Sequence, residues 1–519
     1  MNTLIQPCIR VIRPDGRQDL LTLPGVLAAC MQDAITGFTA LRPHQRHAWH
    51  AFLVQLGTLA LLRAGLLAPP ENEGAWRDLL RGLTPEHADD APWCLLGPSN
   101  RPALLQPPIP DGIGALKNAV STPDALDLLV ASKNHDLKRQ VMAAAAPDDW
   151  LFALVSLQTM EGFLGAGNYG ISRMNGGFAN RPALCLVPPG GPGAHVRRDI
   201  RCLLALGGRP PLSEGCAEAG GLALLWLEPW DGAASLPRMR LDPLYIEICR
   251  RVRLVEVAGR IAARAGGSKA PRVAPAPGGV TGDPWAPVLT EKDGSLKVLT
   301  VDARGFGYRR MVELMFSPSI RHAPLQDPQA EDPAEGLVLL ARALTRGQGK
   351  TEGYHERRVP LTRRVRALFA SRAADRAAAT AQERVALAAA MANALRFGLL
   401  ALLENGPEAV DPRDEEAKRK AETFLRRFDA GVDRDFFPAL WRELEQDDRA
   451  AREAERRAWV RGLLDQARTL LDVADAAAPK SSRLRYRARV RGRAALLHVA
   501  YRPDGLLASW LKEPQRDAA

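Results

Sequence analysis

The chain has 519 residues, 46 % of them apolar and 25 % charged, so it can build a sizeable core and is neither disordered nor collagen-like. At roughly 150 residues per domain, this length predicts two to four domains. The 70 basic residues outnumber 59 acidic ones, and the net charge of +11 points to an acidic partner, which in the cytoplasm is most commonly nucleic acid. Seven cysteines lie between Cys8 and Cys249 without a C-x-x-C pair, which excludes a disulfide framework and a cysteine-rich zinc ribbon and favours a reducing compartment. The start, Met1 to Pro7, has no apolar run of signal-peptide length. The most hydrophobic stretch, Ala51 to Leu67, is broken by Gln55 and Arg63 and falls short of the ~18 uninterrupted apolar residues of a membrane span. A cytoplasmic protein without a membrane partner is expected.

In chain order, Cys8-Ile9-Arg10-Val11-Ile12 alternates, Pro14-Asp15-Gly16 supplies a turn and a second apolar run follows, which predicts a hairpin. From Pro43 to Ala64 apolar residues recur at helical spacing, and Gly65 with Pro69-Pro70 ends the pattern. His44, His47 and His50 rotate around that helix, so they read as surface or partly buried residues. Ser132 to Arg139 is a basic polar loop suited to phosphates and bases, or simply a solvated loop. Within it His135-Asp136 would suit a metal-dependent phosphohydrolase, but nothing completes the ligand set.

A second helix is expected after Asp148-Asp149, where a carboxylate can cap the following amides, and it ends near Gly162. Gly165-Ala166-Gly167-Asn168-Tyr169-Gly170 then spells G-x-G-x-x-G, but it follows a helix rather than a strand, and no acid lies about 20 residues on, so a structural turn is the better reading. The glycines from Gly162 to Gly177 let the backbone approach another surface, and nearby Arg173 and Arg181 make a phosphate or a groove edge a candidate for that surface.

Ala262 to Pro287 is rich in Gly, Pro and Ala and reads as a mobile excursion. Gly349-Lys350-Thr351 resembles the end of a P-loop, but Leu344 stands where its first glycine is required, so Arg346-Gly347-Gln348-Gly349 reads as a hairpin tip. Beyond Pro360, Ala and Arg dominate and long helical patterns follow; residues 361–519 hold 31 basic and 24 acidic residues. Arg483, Arg485, Arg487, Arg489, Arg491 and Arg493 occupy alternate positions without acids in that window, which fits a polyanion-facing surface or a solvated segment.

Taken in order, the Leu4-to-Val11 hairpin, Ser132-Lys133-Asn134-His135-Asp136, the Gly162-to-Gly177 loop, Tyr245-Ile246-Glu247-Ile248-Cys249, the Gln348-to-Arg357 hairpin and the helical tail resemble the CasA family. This family is the large subunit of the type I-E CRISPR Cascade complex, which performs RNA-guided surveillance of invading DNA. The resemblance implies an α+β fold, with a mixed α/β domain over 1–360 that carries motif-reading loops and a four-helix bundle over 361–519. It implies a binding protein rather than an enzyme, with no cofactor and no metal, that recognises the protospacer-adjacent motif, promotes strand opening and R-loop formation, and recruits a helicase-nuclease. The implied partners are guide RNA, target double-stranded DNA, other Cascade subunits and that helicase-nuclease.

Residue by residue, the resemblance implies guide-RNA contacts from Lys133, Asn134 and Lys138. It implies minor-groove contacts from the backbone of Gly165, Ala166, Gly167 and Asn168, and a groove-inserted Lys269 with Arg272 as the alternative. Gln348 becomes a wedge beside the motif, with Lys350 on a phosphate, although Lys350 or Thr351 would replace it at the tip if the longer hairpin shifts the alignment. Arg485, Arg487 and Arg489 become phosphate contacts of the bundle. The competing readings are a metal-dependent nuclease using His135 and Asp136, and an RNA-binding scaffold without DNA contact.

Overall fold

The computed structural model describes residues 1–127, 142, 144–174, 180–347, 350–369, 374–408, 410–411, 413–477 and 482–512. They pack as two compact units, one of residues 1–306 and 318–361 and the other of 307–317 and 362–519. The division is not a single cut after residue 360, because one short helix from the first part of the chain belongs to the helical unit.

In the first unit, β1 (Ile9–Ile12) and β2 (Gln18–Leu21) form the expected antiparallel hairpin, with Gly16 at φ +84° in its turn. Ile9 and Val11 are buried, and β3 (Gly37–Phe38) covers the other edge of β1. Helix α1 (Leu23–Met31) is capped by the Thr22 hydroxyl, which accepts from the Gly25 amide. Helix α2 (Arg46–Arg63) runs through the core with residues 47–61 all buried, and α3 (Glu73–Arg81) lays Trp76 and Leu80 into the same core.

His47 and His50 are buried and His44 is partly buried, so the reading of surface or partly buried residues holds for His44 and is corrected for the other two. His44 Nε2 lies 2.8 Å from Asp127 Oδ2, His50 Nε2 lies 2.8 Å from Asp199 Oδ2, and His47 packs edge-on against Trp285. Burial holds the His47 ring well below the usual histidine range.

After β4 (Asn118–Val120) and α4 (Pro123–Leu126) comes α5 (Pro147–Met160). It starts before the Asp148-Asp149 pair rather than after it, because Asp149 accepts the Ala146 amide at 2.8 Å while both carboxylates bind Arg10 of β1. The remaining elements are β5 (Ala183–Val187), α6 (Pro192–Ala205), the parallel pair β6 (Leu222–Leu224) and β7 (Leu241–Ile246), the hairpin of β8 (Arg251–Val257) and β9 (Arg260–Gly266), and β10 (Val288–Thr290) between β11 (Leu296–Val298) and β12 (Ile320–Arg321). Between β11 and β12 in the chain, α7 (Tyr308–Phe316) belongs to the second unit. A long hairpin of β13 (Val338–Gly347) and β14 (Lys350–Pro360) joins β5 to close the sheet order β14-β13-β5.

The expected excursion over Ala262 to Pro287 is instead part of this core. Ala263, Val273, Trp285 and Ala286 are buried, and the guanidinium of Arg272 donates to the carbonyls of Leu225, Glu228 and Pro229. Its first residues, to Gly266, belong to β9, and beyond them the Gly/Pro composition hid the order because buried polar bonds, not a long helix or strand, hold the chain.

In the second unit, α8 (Arg363–Phe369) precedes a bundle of α9 (Ala374–Leu403), α10 (Glu415–Glu445), α11 (Arg449–Ala477) and α12 (Ser482–Ala500), with α13 (Ala508–Leu511) at its end. α9 contacts all three other long helices. Among the described residues its segment Asp375–Leu403 is the one helix apolar and long enough to cross a membrane by composition, and 56 % of its apolar window is buried inside the fold. Gly398 of α9 and Gly492 of α12 face each other; a Cβ on either would lie 3.1 or 3.0 Å from the other's carbonyl oxygen, so glycine sets this close helix approach.

Between α9 and α10, the fully buried Arg384 pairs with Glu443, which also accepts from Arg456 of α11. Glu443→Ala leaves Arg384 buried and uncompensated, and we expect a loss of about 3–5 kcal/mol from the helical unit, read by chemical denaturation.

Candidate nucleic-acid interface

The glycine loop begins where α5 ends. Glu161 is extended, its carbonyl accepts the Ile171 amide at 2.9 Å, and this bond closes residues 162–170 into a loop. Inside it, Leu164 N donates to Asn168 O at 2.9 Å and Asn168 N to Gly165 O at 3.0 Å, a turn that requires Gly165 at φ +116° and Gly167 at φ +83°. At the neck, a Cβ on Gly170 would lie 2.5 Å from the Gly162 carbonyl carbon, so only glycine fits. Arg250 donates to the carbonyls of Gly162 and Tyr169 and holds both sides of the neck. Ala166 and Asn168 are exposed at the outer end. The Asn168 amide is committed to the turn, so Asn168 can present only its side chain outward, not the backbone donor expected of it.

Lys269 stands beside this loop. The Ser268 amide donates to Gly167 O at 3.0 Å and the Lys269 amide to Gly232 O at 2.7 Å, leaving the exposed Lys269 next to the glycine turn. Arg272, the alternative, is excluded from any groove: it is buried, holds three carbonyls, and its guanidinium lies 5.4 Å from the Trp230 ring centre. Arg173 and Arg181 are likewise internal. Arg173 donates to Tyr245 O at 2.9 Å and stacks on its ring, while Arg181 forms a buried ion pair with Asp283.

The hairpin is tied to the same loop. Arg346, at the outer end of β13, donates to both Glu161 oxygens at 3.2 Å, Asn180 adds a bond to Glu161 at 3.3 Å, and the Asn180 amide donates to Leu344 O at 3.3 Å. Sequence reasoning missed Glu161 and Arg346 because nothing in a helix-terminal glutamate or a strand arginine announces a partner 185 residues away. Gly347 pairs with Lys350 and Arg346 with Thr351, so Lys350 and Thr351 belong to β14 rather than to the tip. Gln348 lies outside the described residues, as do Lys133, Asn134, His135, Asp136 and Lys138.

The bundle arginines sit on α12, not on a strand. They are not without acids: Asp475 of α11 pairs with Arg489 at 3.0 Å and Arg485 at 3.7 Å, and Asp472 pairs with Arg493 at 2.7 Å. Arg487 donates to Asn405 O at 3.0 Å. The window alone could not reveal this, because the acids come from the preceding helix. Arg483 and Arg491 are exposed and carry no ion pair among the described residues.

No protein-family model matches the sequence, and no curated protein matches it. Solved structures do match. Thermus thermophilus CasA (Cse1) aligns with a TM-score of 0.65 and 16 % identity over 96 % of this chain and 98 % of that one. Cse1 from Acidimicrobium ferrooxidans gives 0.61 and 16 % over 96 % and 97 %. A chain of a CRISPR RNA-guided surveillance complex gives 0.58 and 14 % over 96 % and 99 %. The chain has the CasA fold.

In this CasA fold the Tyr245-to-Cys249 segment anchors the glycine loop from below. Glu247 accepts the Ser172 amide at 2.6 Å and the Ser172 hydroxyl at 2.9 Å, and the same hydroxyl lies 2.6 Å from the Tyr245 hydroxyl. Burial lifts the Glu247 carboxyl from 4.5 to about 7, against the opposing pull of Arg173 and Ser172. The folded chain therefore keeps a proton that the unfolded chain releases. Its contribution to stability is fully present below pH about 4.5 and declines, by about 3 kcal/mol in all, as the pH rises to about 7. Glu247→Gln should flatten this part of the profile, measured by denaturant unfolding at pH about 5 and about 7.5.

Proposed function

We propose that this chain is the large subunit of an RNA-guided DNA surveillance (Cascade) complex, and that it recognises a protospacer-adjacent motif in duplex DNA, starts strand opening and recruits a helicase-nuclease. The observation that carries the reading is the CasA fold along 96 % of the chain. The meeting of the glycine turn, Lys269 and the outer end of the β13–β14 hairpin in one unit supports it. In this reading the protein binds and does not catalyse, works in the cytoplasm, and has guide RNA, the other Cascade subunits and target DNA as partners.

Gly165, Ala166 and Gly167 present a small, Cβ-poor edge suited to the minor groove, where readout is degenerate, and Lys269 supplies a cation beside it. Gln348 at the neighbouring hairpin acts as the wedge, its amide offering both donors and an acceptor to separated bases, with Lys350 near a phosphate. Lys133, Asn134 and Lys138 hold the guide RNA. On the bundle, Arg485, Arg487 and Arg489 give phosphate contacts weakened by their own acids and carbonyl, and Arg483 and Arg491 carry more of that role.

Co-expression with the companion subunits tests the class: a guide RNA and several subunits should co-purify with the chain, and purification alone under those conditions would refute it. Within that complex, Gly167→Val should abolish motif-dependent DNA binding while assembly persists, because a β-branched residue at φ +83° cannot keep the turn. Gln348→Ala should slow R-loop formation on duplex DNA and recover on DNA mismatched at the first target pair, since opening one step costs on the order of 1.4 kcal/mol of stacking. Equal slowing on both substrates would remove Gln348 from strand opening.

A further inference from the structure

A second constellation lies in the first unit and plays no part in the reading above. Helices α2 and α6 and strands β5 and β13 line a cavity of about 510 Å³, and His50 of α2 and His195 of α6 stand on its wall. Their imidazoles stack with centres 3.7 Å apart and planes 19° apart. Both Nε2 atoms turn to one oxygen: Asp199 Oδ2 is 2.8 Å from His50 and 3.4 Å from His195. All three side chains are buried, and the three potential ligand atoms lie within 4.8 Å of one another.

The carboxylate is held for single-oxygen use. Arg198 takes Asp199 Oδ1 at 3.1 Å and is itself fixed by Asp332 and by the carbonyls of Leu325 and Asp327. His195 and Asp199 are four residues apart on α6, which places both on one helix face. His50 hydrogen-bonds this oxygen, whereas His195 Nε2 lies 3.4 Å from it and 3.4 Å from Cys185 Sγ, and two nitrogens with a monodentate oxygen are an ordinary protein ligand set for zinc. The 3.4 Å between His195 Nε2 and Asp199 Oδ2 is close to the roughly 3.3 Å between ligand atoms around a tetrahedral ion with bonds near 2.0 Å, and His50, hydrogen-bonded at 2.8 Å, has to draw back by only about 0.5 Å to match it.

We propose that His50, His195 and Asp199 form a site for a divalent transition metal of the zinc class, with Arg198 as the residue that orients the carboxylate. The cavity gives the ion an entry path and room for an exogenous fourth ligand. Arg46, Arg342 and Arg358 also line it, which favours an anion or hydroxide in that position. Because the ligands come from α2 and α6, the ion ties these two core helices together.

The test uses the full chain, stripped with a chelator and titrated with Zn²⁺ by calorimetry and with Co²⁺ by visible absorption. One ion per chain, a tetrahedral cobalt spectrum and a raised thermal midpoint are expected. His50→Gln and His195→Gln should each weaken binding by about 100-fold or more, while His498→Gln, on the exposed face of α12, should leave it unchanged. Absence of saturable zinc binding by the folded wild-type chain, or an unchanged affinity in folded His195→Gln, overturns the proposal. If neither glutamine variant folds, zinc X-ray absorption on the wild-type chain decides: two imidazoles in the coordination shell support the site, and fewer than two overturn it.

Discussion

The buried carboxylate of Glu161 is the constraint on which the rest of the candidate interface depends. It sits at the turn from α5 into the glycine loop, its backbone closes that loop, and its side chain receives Arg346 from a hairpin far away in the sequence. Burial raises its pKa, and the charges of Arg346 and Arg250 pull the other way, so the two arginines that organise the hairpin and the loop neck are also those that favour the ionised carboxylate. Loss of either cation leaves a buried acid undercompensated, which links the geometry of the two segments through Glu161.

Much of the architecture was legible in the sequence. The alternation in Ile9 to Ile12, the helical period up to Ala64 and the glycine pair around position 348 each report a local rule that the fold obeys. Local rules failed where order comes from long-range polar bonds. Arg173 and Arg181 stand in the sequence beside a loop that could meet a phosphate or a groove edge, and Arg272 is the alternative to Lys269, yet each is buried on carbonyls, aromatic rings or an aspartate. The same failure made Ala262 to Pro287 look mobile, because its ordering partners, such as Pro229 O and Leu225 O, lie some forty residues upstream.

The arginine ladder of α12 is an instructive intermediate case. Its six cations surround a helix, as six alternate residues must, and solvent exposure follows from that geometry alone. What the sequence window could not supply was α11, whose Asp472 and Asp475 face α12 and reduce the charge available to an outside polyanion. Net charge counted along a chain therefore overstates the charge that a folded surface presents.

The neck of the glycine loop has a further consequence. Gly162 and Gly170 are in close contact, Arg250 clamps both flanks, and the turn at Gly165 to Asn168 is already hydrogen-bonded. The conformational entropy of this projection is thus surrendered during folding, and a ligand docking on it meets a finished surface rather than a segment that must order. A ligand docking on residues 162–170 would therefore bind without coupled folding of that loop, and the heat-capacity change would follow the area in contact.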